Sequence, residues 1–161
     1  FTVVHMMIAN VTGRFDKVEG KAVVDDKAST ISKINFKIQA ASINTNDAKR
    51  DGHLRGADFF DADKNMEVVF TTDKPVVLKK GQAVQLSGSL TMRGVTKPVT
   101  FSFTYRGTVK DPYGKTRYGF EGNLKINRKD FGVSWNKAMD TGGVVVSEEV
   151  TIAIAGEATA D

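Results

Sequence analysis

Apolar and polar residues alternate along six stretches of the chain with few errors. Val84, Leu86, Gly88, Leu90 and Met92 interleave with Gln85, Ser87, Ser89 and Thr91; Tyr118, Phe120, Gly122, Leu124 and Ile126 interleave with Gly119, Glu121, Asn123 and Lys125. The pattern repeats in Ile34, Phe36, Ile38 and Ala40, in Met66, Val68 and Phe70, in Val99, Phe101, Phe103 and Tyr105, and in Val150, Ile152 and Ile154. A period of two is that of a β-strand with one face buried and the other wet. Residues 1–8 are strand-like but apolar on both sides, Val11, Gly13 and Phe15 continue the odd phase, and residues 21–24 add another short strand. Turn chemistry separates the strands at Asp25-Asp26-Lys27, Lys79-Lys80-Gly81 and Asp111-Pro112-Tyr113-Gly114. About eight antiparallel strands joined by short turns predict an all-β sandwich or barrel. Gly88 and Gly122 on the apolar face predict missing volume inside, although each could instead mark a bulge or bend. The expectation is a closed sheet around an apolar space able to hold a greasy ligand.

One segment breaks the rhythm. Residues 46–55 show no alternation; Asn46 is a good helix N-cap, and Asp51 and Arg55 form a favourable acid-to-base pair four apart. Arg50, His53 and Leu54 share one face of this short helix, and Asp58-Phe59-Phe60-Asp61 brings two aromatics back towards the sheet. So short a helix needs docking, which predicts a lid or a plain plug over one barrel end.

With 161 residues, the chain suits a single domain over residues 1–161. It begins at Phe1, inside a strand, so a processed product whose signal peptide has been removed is expected. There is no cysteine, which excludes disulfides and thiolate chemistry. The net charge is +4, but the basic residues are interspersed with acids, as in Asn127-Arg128-Lys129-Asp130. That argues against nucleic acid as a partner, which favours a continuous basic stripe, and leaves transient attraction to anionic lipid surfaces open. Two histidines without cysteine are poor material for a metal site, and neither a nucleophile elbow nor a phosphate-cradling glycine loop is present. No catalytic residue, metal or cofactor is expected.

Three blocks combine into a family resemblance: Ser42-Ile43-Asn44-Thr45 running through Arg50-Asp51-Gly52-His53-Leu54 to Asp58-Phe59-Phe60-Asp61; residues 90–99, Leu-Thr-Met-Arg-Gly-Val-Thr-Lys-Pro-Val; and Ile126-Asn127-Arg128-Lys129-Asp130-Phe131-Gly132-Val133. With Phe1-Thr2-Val3-Val4-His5 and Gly13-Arg14-Phe15, they resemble the YceI-like family of bacterial polyisoprenoid-binding proteins over essentially the whole chain. The chain departs from that pattern at Asn65-Met66, where members often carry Tyr-Pro. The resemblance implies an eight-stranded antiparallel lipocalin-like barrel, with the short helix near one end, holding a polyisoprenoid, isoprenoid quinone or fatty chain. It also implies export to the bacterial periplasm or beyond.

The expected lipid-binding residues are therefore Phe36, Ile38, Met66, Val68, Phe70, Leu86, Leu90, Phe101, Phe103, Phe120, Leu124 and Ile152 along the bore, Leu54 and Phe60 from the helical segment, and Phe131 and Trp135 lining or sealing one end. Arg50 and His53 either contact a polar head or latch the helix through carboxylates, and His5 is either a hydrogen-bonded core histidine or a head-group contact. An enzyme acting on such a lipid, or a solid barrel binding another protein through Val4, Met6 and Ile8, stands as the alternative to a carrier. A homodimer is left open.

Overall fold

The computed structural model describes residues 1–140 and 142–160. Twelve strands run β1 (Thr2–His5), β2 (Ala9–Thr12), β3 (Arg14–Phe15), β4 (Val18–Asp25), β5 (Thr30–Gln39), β6 (Ile43–Asn44), β7 (Glu67–Thr72), β8 (Val76–Val77), β9 (Ala83–Met92), β10 (Val95–Lys110), β11 (Thr116–Asn127) and β12 (Glu149–Thr159), with helix α1 (Ala48–Arg55) between β6 and β7. The expected alternation sets the long strands β5, β7, β9, β10, β11 and β12. They form one sheet in the order β2-β1-β12-β11-β10-β9-β7-β5-β4, with β8 beside β5. All the pairings are antiparallel. β3 and β6 pair separately.

The sheet curls until opposite walls meet: the Phe36 ring on β5 and the Phe120 ring on β11 lie 6.1 Å apart, although four pairing steps separate their strands. It does not close. β12 pairs with β1 at Thr151 alone, so among the described residues its outer edge has no ladder from Ile152 onward, and neither does the outer edge of β4. These two edges bound an open seam. At the α1 end the chain itself crosses the seam from β2 to β4, fastened by Asp16 N–H to Ser42 O (3.0 Å) and by the β3–β6 pair. At the other end the Tyr118 hydroxyl donates across it to Asp26, 3.3 Å from either carboxylate oxygen. The closed barrel expected from the pattern is thus an antiparallel barrel-like sheet with one unzipped side.

The glycines on the inner face do not leave empty space. A Cβ on Gly88 would lie 2.5 Å from Cζ of Phe70, and one on Gly122 would lie 3.3 Å from the Phe101 ring. Gly20 and Gly156, on the two seam edges, are covered by Phe36 and Phe120, their cross-strand partners. Each glycine thus makes room for a neighbouring aromatic ring, a known way of stabilising glycines in a sheet. Between β7, β9 and β10 the interior is consequently solid: Val68, Phe70, Leu86, Leu90, Phe101 and Phe103 are all buried, with Phe70 and Phe101 in edge contact at 5.0 Å. A hollow bore through this region, expected from Gly88 and Gly122, is corrected to a packed core.

The β9–β10 connection is a two-residue turn at Arg93-Gly94, both with positive φ (49° and 73°), between the paired Met92 and Val95. This is the hairpin geometry that asparagine-glycine and similar pairs normally supply.

Candidate functional site

At the α1 end, arginines hold loops by their carbonyls. The helix N-cap is Asp47, whose carboxylate accepts from Arg50 N–H at 3.0 Å. That backbone donor is the main reason its carboxyl is held below the ordinary range. Asn46, the expected cap, is instead the preceding residue in left-handed conformation (φ 60°). Buried Asp51 accepts from Thr45 N–H (2.9 Å) and the Thr45 hydroxyl (2.6 Å), while Arg50 donates to that same hydroxyl oxygen (2.8 Å) and to Thr45 O (2.9 Å). Arg93 donates to Phe59 O and Ala57 O at 2.6 and 2.7 Å. Arg128 is only 4 % exposed and donates to Ser147 O (2.9 Å), Val133 O (2.6 Å), Trp135 O (2.8 Å) and Val146 O (3.4 Å). Its burial pulls the guanidinium pKa below the usual arginine value, opposed by the Glu148 carboxylate. Arg128 and Asp51 were not legible as structural anchors; both sit in polar runs that suggest a wet surface.

Behind these latches lies an aromatic seal. Phe59 and Trp135 lie 5.2 Å apart, and the His53 ring meets both edge-on at 5.1 Å while pairing with Asp58 through Nε2 at 2.8 Å. Buried Phe131 and half-buried Leu54 and Phe60 pack against the same core. The helix end is therefore a plug. Within it Arg50 bonds Thr45 through Nε and one terminal nitrogen, and His53 meets Asp58 through Nε2, as the carboxylate latch expected for the histidine would.

His5 lies on β1, between β2 and β12, half-buried and outside the core, and its ring makes no hydrogen bond among the described residues; the expected hydrogen-bonded core histidine is corrected. Met66 is also corrected. At 71 % exposed, it precedes β7 and points away from the interior, because the alternation runs one residue past the ladder.

The remaining expected contacts sort by strand. Those on β7, β9 and β10 are fully buried, as described above. Phe36 and Ile38 on β5, Phe120 and Leu124 on β11, and Ile152 on β12 share the inward phase yet stay half-buried. Val150 on β12 behaves likewise. These strands adjoin or form the seam, although Ile34 on β5 and Ile126 on β11 are fully buried and Val84, Val99 and Tyr105 on β9 and β10 are also half-buried. This strip of partly exposed apolar side chains between the β4 and β12 edges, beside the packed core, is the candidate groove. Among the described residues, every buried side-chain nitrogen and oxygen has a hydrogen-bond partner, so the interior offers no free polar group to a ligand head. Two surface pockets, of about 380 Å³ beside α1 and about 200 Å³ on the outer face of β10 and β11, include none of the groove residues. Among the described residues, no three His, Asp or Glu side chains converge to hold a metal ion.

Residues 1–158 match the YceI-like domain family. A UPF0312 protein of Serratia proteamaculans is 37% identical over 156 residues, spanning 97% of this chain and 78% of that protein. The Campylobacter jejuni YCEI protein superposes with a TM-score of 0.81 at 30% identity, covering all of this chain and 91% of the other. A polyisoprenoid binding domain from Saccharophagus degradans has the same fold at 16% identity, with a TM-score of 0.67 over 99% of this chain and 91% of that one.

Proposed function

The chain belongs to the YceI-like domain family, and from that premise we propose that it is a non-catalytic carrier of a long apolar lipid of the polyisoprenoid class, held in the seam groove. The observation that carries this reading is the half-buried state of Phe36, Ile38, Phe120, Leu124 and Ile152, all inward-facing and on, or one strand in from, the unpaired β4 and β12 edges. A folded protein gains by covering such a surface, and each methylene that a ligand buries contributes about 0.8 kcal/mol. Ten or more would supply several kcal/mol after association costs. The ligand class comes from the polyisoprenoid binding domain that shares the fold. The packed floor favours a chain lying along the seam over one threaded through the centre. Its polar end stays in solvent, since the buried polar groups are already paired.

Such a groove selects by length and bulk more than by chemistry, because apolar sites discriminate single methylenes weakly. Organic extraction of natively purified protein followed by mass spectrometry is expected to release an apolar lipid with an isoprenoid repeat. Leu124→Trp, at a half-buried groove position, should remain folded and release much less. Leu90 would be an unsuitable place for the same test, because it is buried opposite Phe70 and a larger side chain would disturb the core. Recovery of no lipid from either protein, or equal amounts from both, would contradict the groove.

A further inference from the structure

The hairpin joining β1 to β2 breaks a local rule that the β9–β10 turn obeys. His5 pairs with Ala9, Ile8 N–H donates to His5 O at 3.2 Å, and the two residues inside that turn, Met6 and Met7, both have positive φ (49° and 63°). This conformation is sterically easy for glycine, tolerated by asparagine and unfavourable for a long side chain. Here two methionines occupy it, followed by isoleucine. The side chains repay little of the strain by packing: Met7 lies over Gly143, yet Met6 is 46 %, Met7 62 % and Ile8 87 % exposed, with Val4 behind them at 40 %. The tip is nonetheless held firmly. Met6 N–H donates to Val145 O (2.7 Å), Val4 N–H to the Ser147 hydroxyl (3.0 Å) and Ser147 N–H to Val4 O (2.9 Å). A strained turn displaying bare apolar side chains on a fixed support points to a function outside the fold.

We infer that the Met6–Ile8 tip is a membrane-docking element, which inserts its three apolar side chains into the surface of a lipid bilayer. Two observations favour a bilayer over a protein partner. Three consecutive side chains at a narrow tip cannot approach the roughly 800 Å² per partner of a stable protein interface, whereas acyl chains need no complementary shape. The chain also carries a net charge of +4, which favours anionic headgroups. Unbranched methionine adapts readily to a fluid apolar surface. The tip lies beyond the start of β12, beside Val145 and Ser147, so docking would turn the α1 end of the molecule towards the bilayer, independently of the lipid-carrier reading.

The test is a double replacement, Met6→Asn with Met7→Gly, which installs the preferred turn pair. The variant is expected to melt at a higher temperature than the parent, and its partition onto phosphatidylcholine–phosphatidylglycerol vesicles in a flotation assay should fall about tenfold or more. Lipid extracted from the two purified proteins should be the same. Equal flotation of parent and variant, or no flotation of the parent, overturns the inference. So does a dimer in sedimentation velocity that the replacement dissociates while the parent fails to float. Flotation and lipid extraction are separate readouts: a protein that carries lipid but does not float loses only the docking role, and one that floats but carries none loses only the carrier reading.

Discussion

Replacing Arg128 by alanine is expected to destabilise the protein by about 3–5 kcal/mol, because it strands buried carbonyls that the guanidinium now satisfies. Val133 O, Trp135 O, Ser147 O and Val146 O come from both limbs of the segment that follows β11, and one planar cation with several donors ties them together. Arg128→Lys should recover little, since a single ammonium cannot reproduce the divergent fork. Urea denaturation measures the loss. The molecule's only tryptophan, Trp135, supplies a local signal, and its emission should shift to the red as the aromatic seal with Phe59 and His53 loosens. A variant with unchanged midpoint and emission would show that these carbonyls are as well satisfied by water.

The second large effect is expected at Gly88. A methyl group there would meet Thr71 O at 2.4 Å and the Phe70 ring at 2.5 Å. The ring can move, but the carbonyl belongs to the β7 backbone, so the strand must shift. Gly88→Ala should therefore cost about 2–3 kcal/mol, at the upper end of overpacking penalties. If the ring is a main obstacle, Phe70→Leu should recover part of that loss, giving a favourable coupling in a double-mutant cycle. An alanine variant as stable as the parent would mean that the space over Gly88 is open, as the alternation alone suggests.

That contrast marks how far the chain could be read. Alternation in β9 and β11 placed their inner faces correctly, because a strand's period survives whatever its neighbours do. It could not say what occupies the space above a glycine, since Phe70 and Gly88 are eighteen residues apart and meet only through register. Alternation also ran past the ladder at Met66, where the polar surroundings gave no warning. The motif around Asn127-Arg128-Lys129-Asp130 was visible as a family resemblance, yet by charge the same residues showed only bases interspersed with acids. It is the carbonyls of Val133, Trp135, Val146 and Ser147, later in the chain, that receive the Arg128 guanidinium. Likewise the Phe36–Phe120 contact, and with it the unclosed seam, depends on how far the sheet curls, which local pattern does not encode.

The claim on which the carrier reading depends is that lipid covers the seam groove and leaves the packed floor alone. Methyl-resolved NMR of isotope-labelled, delipidated protein titrated with a polyprenyl alcohol tests it most directly. The methyls of Ile38, Leu124, Val150 and Ile152 are expected to shift or broaden together, while those of the fully buried Leu86 and Ile43 stay in place. Saturation that leaves the four groove methyls unmoved, or moves Leu86 and Ile43 instead, would contradict it.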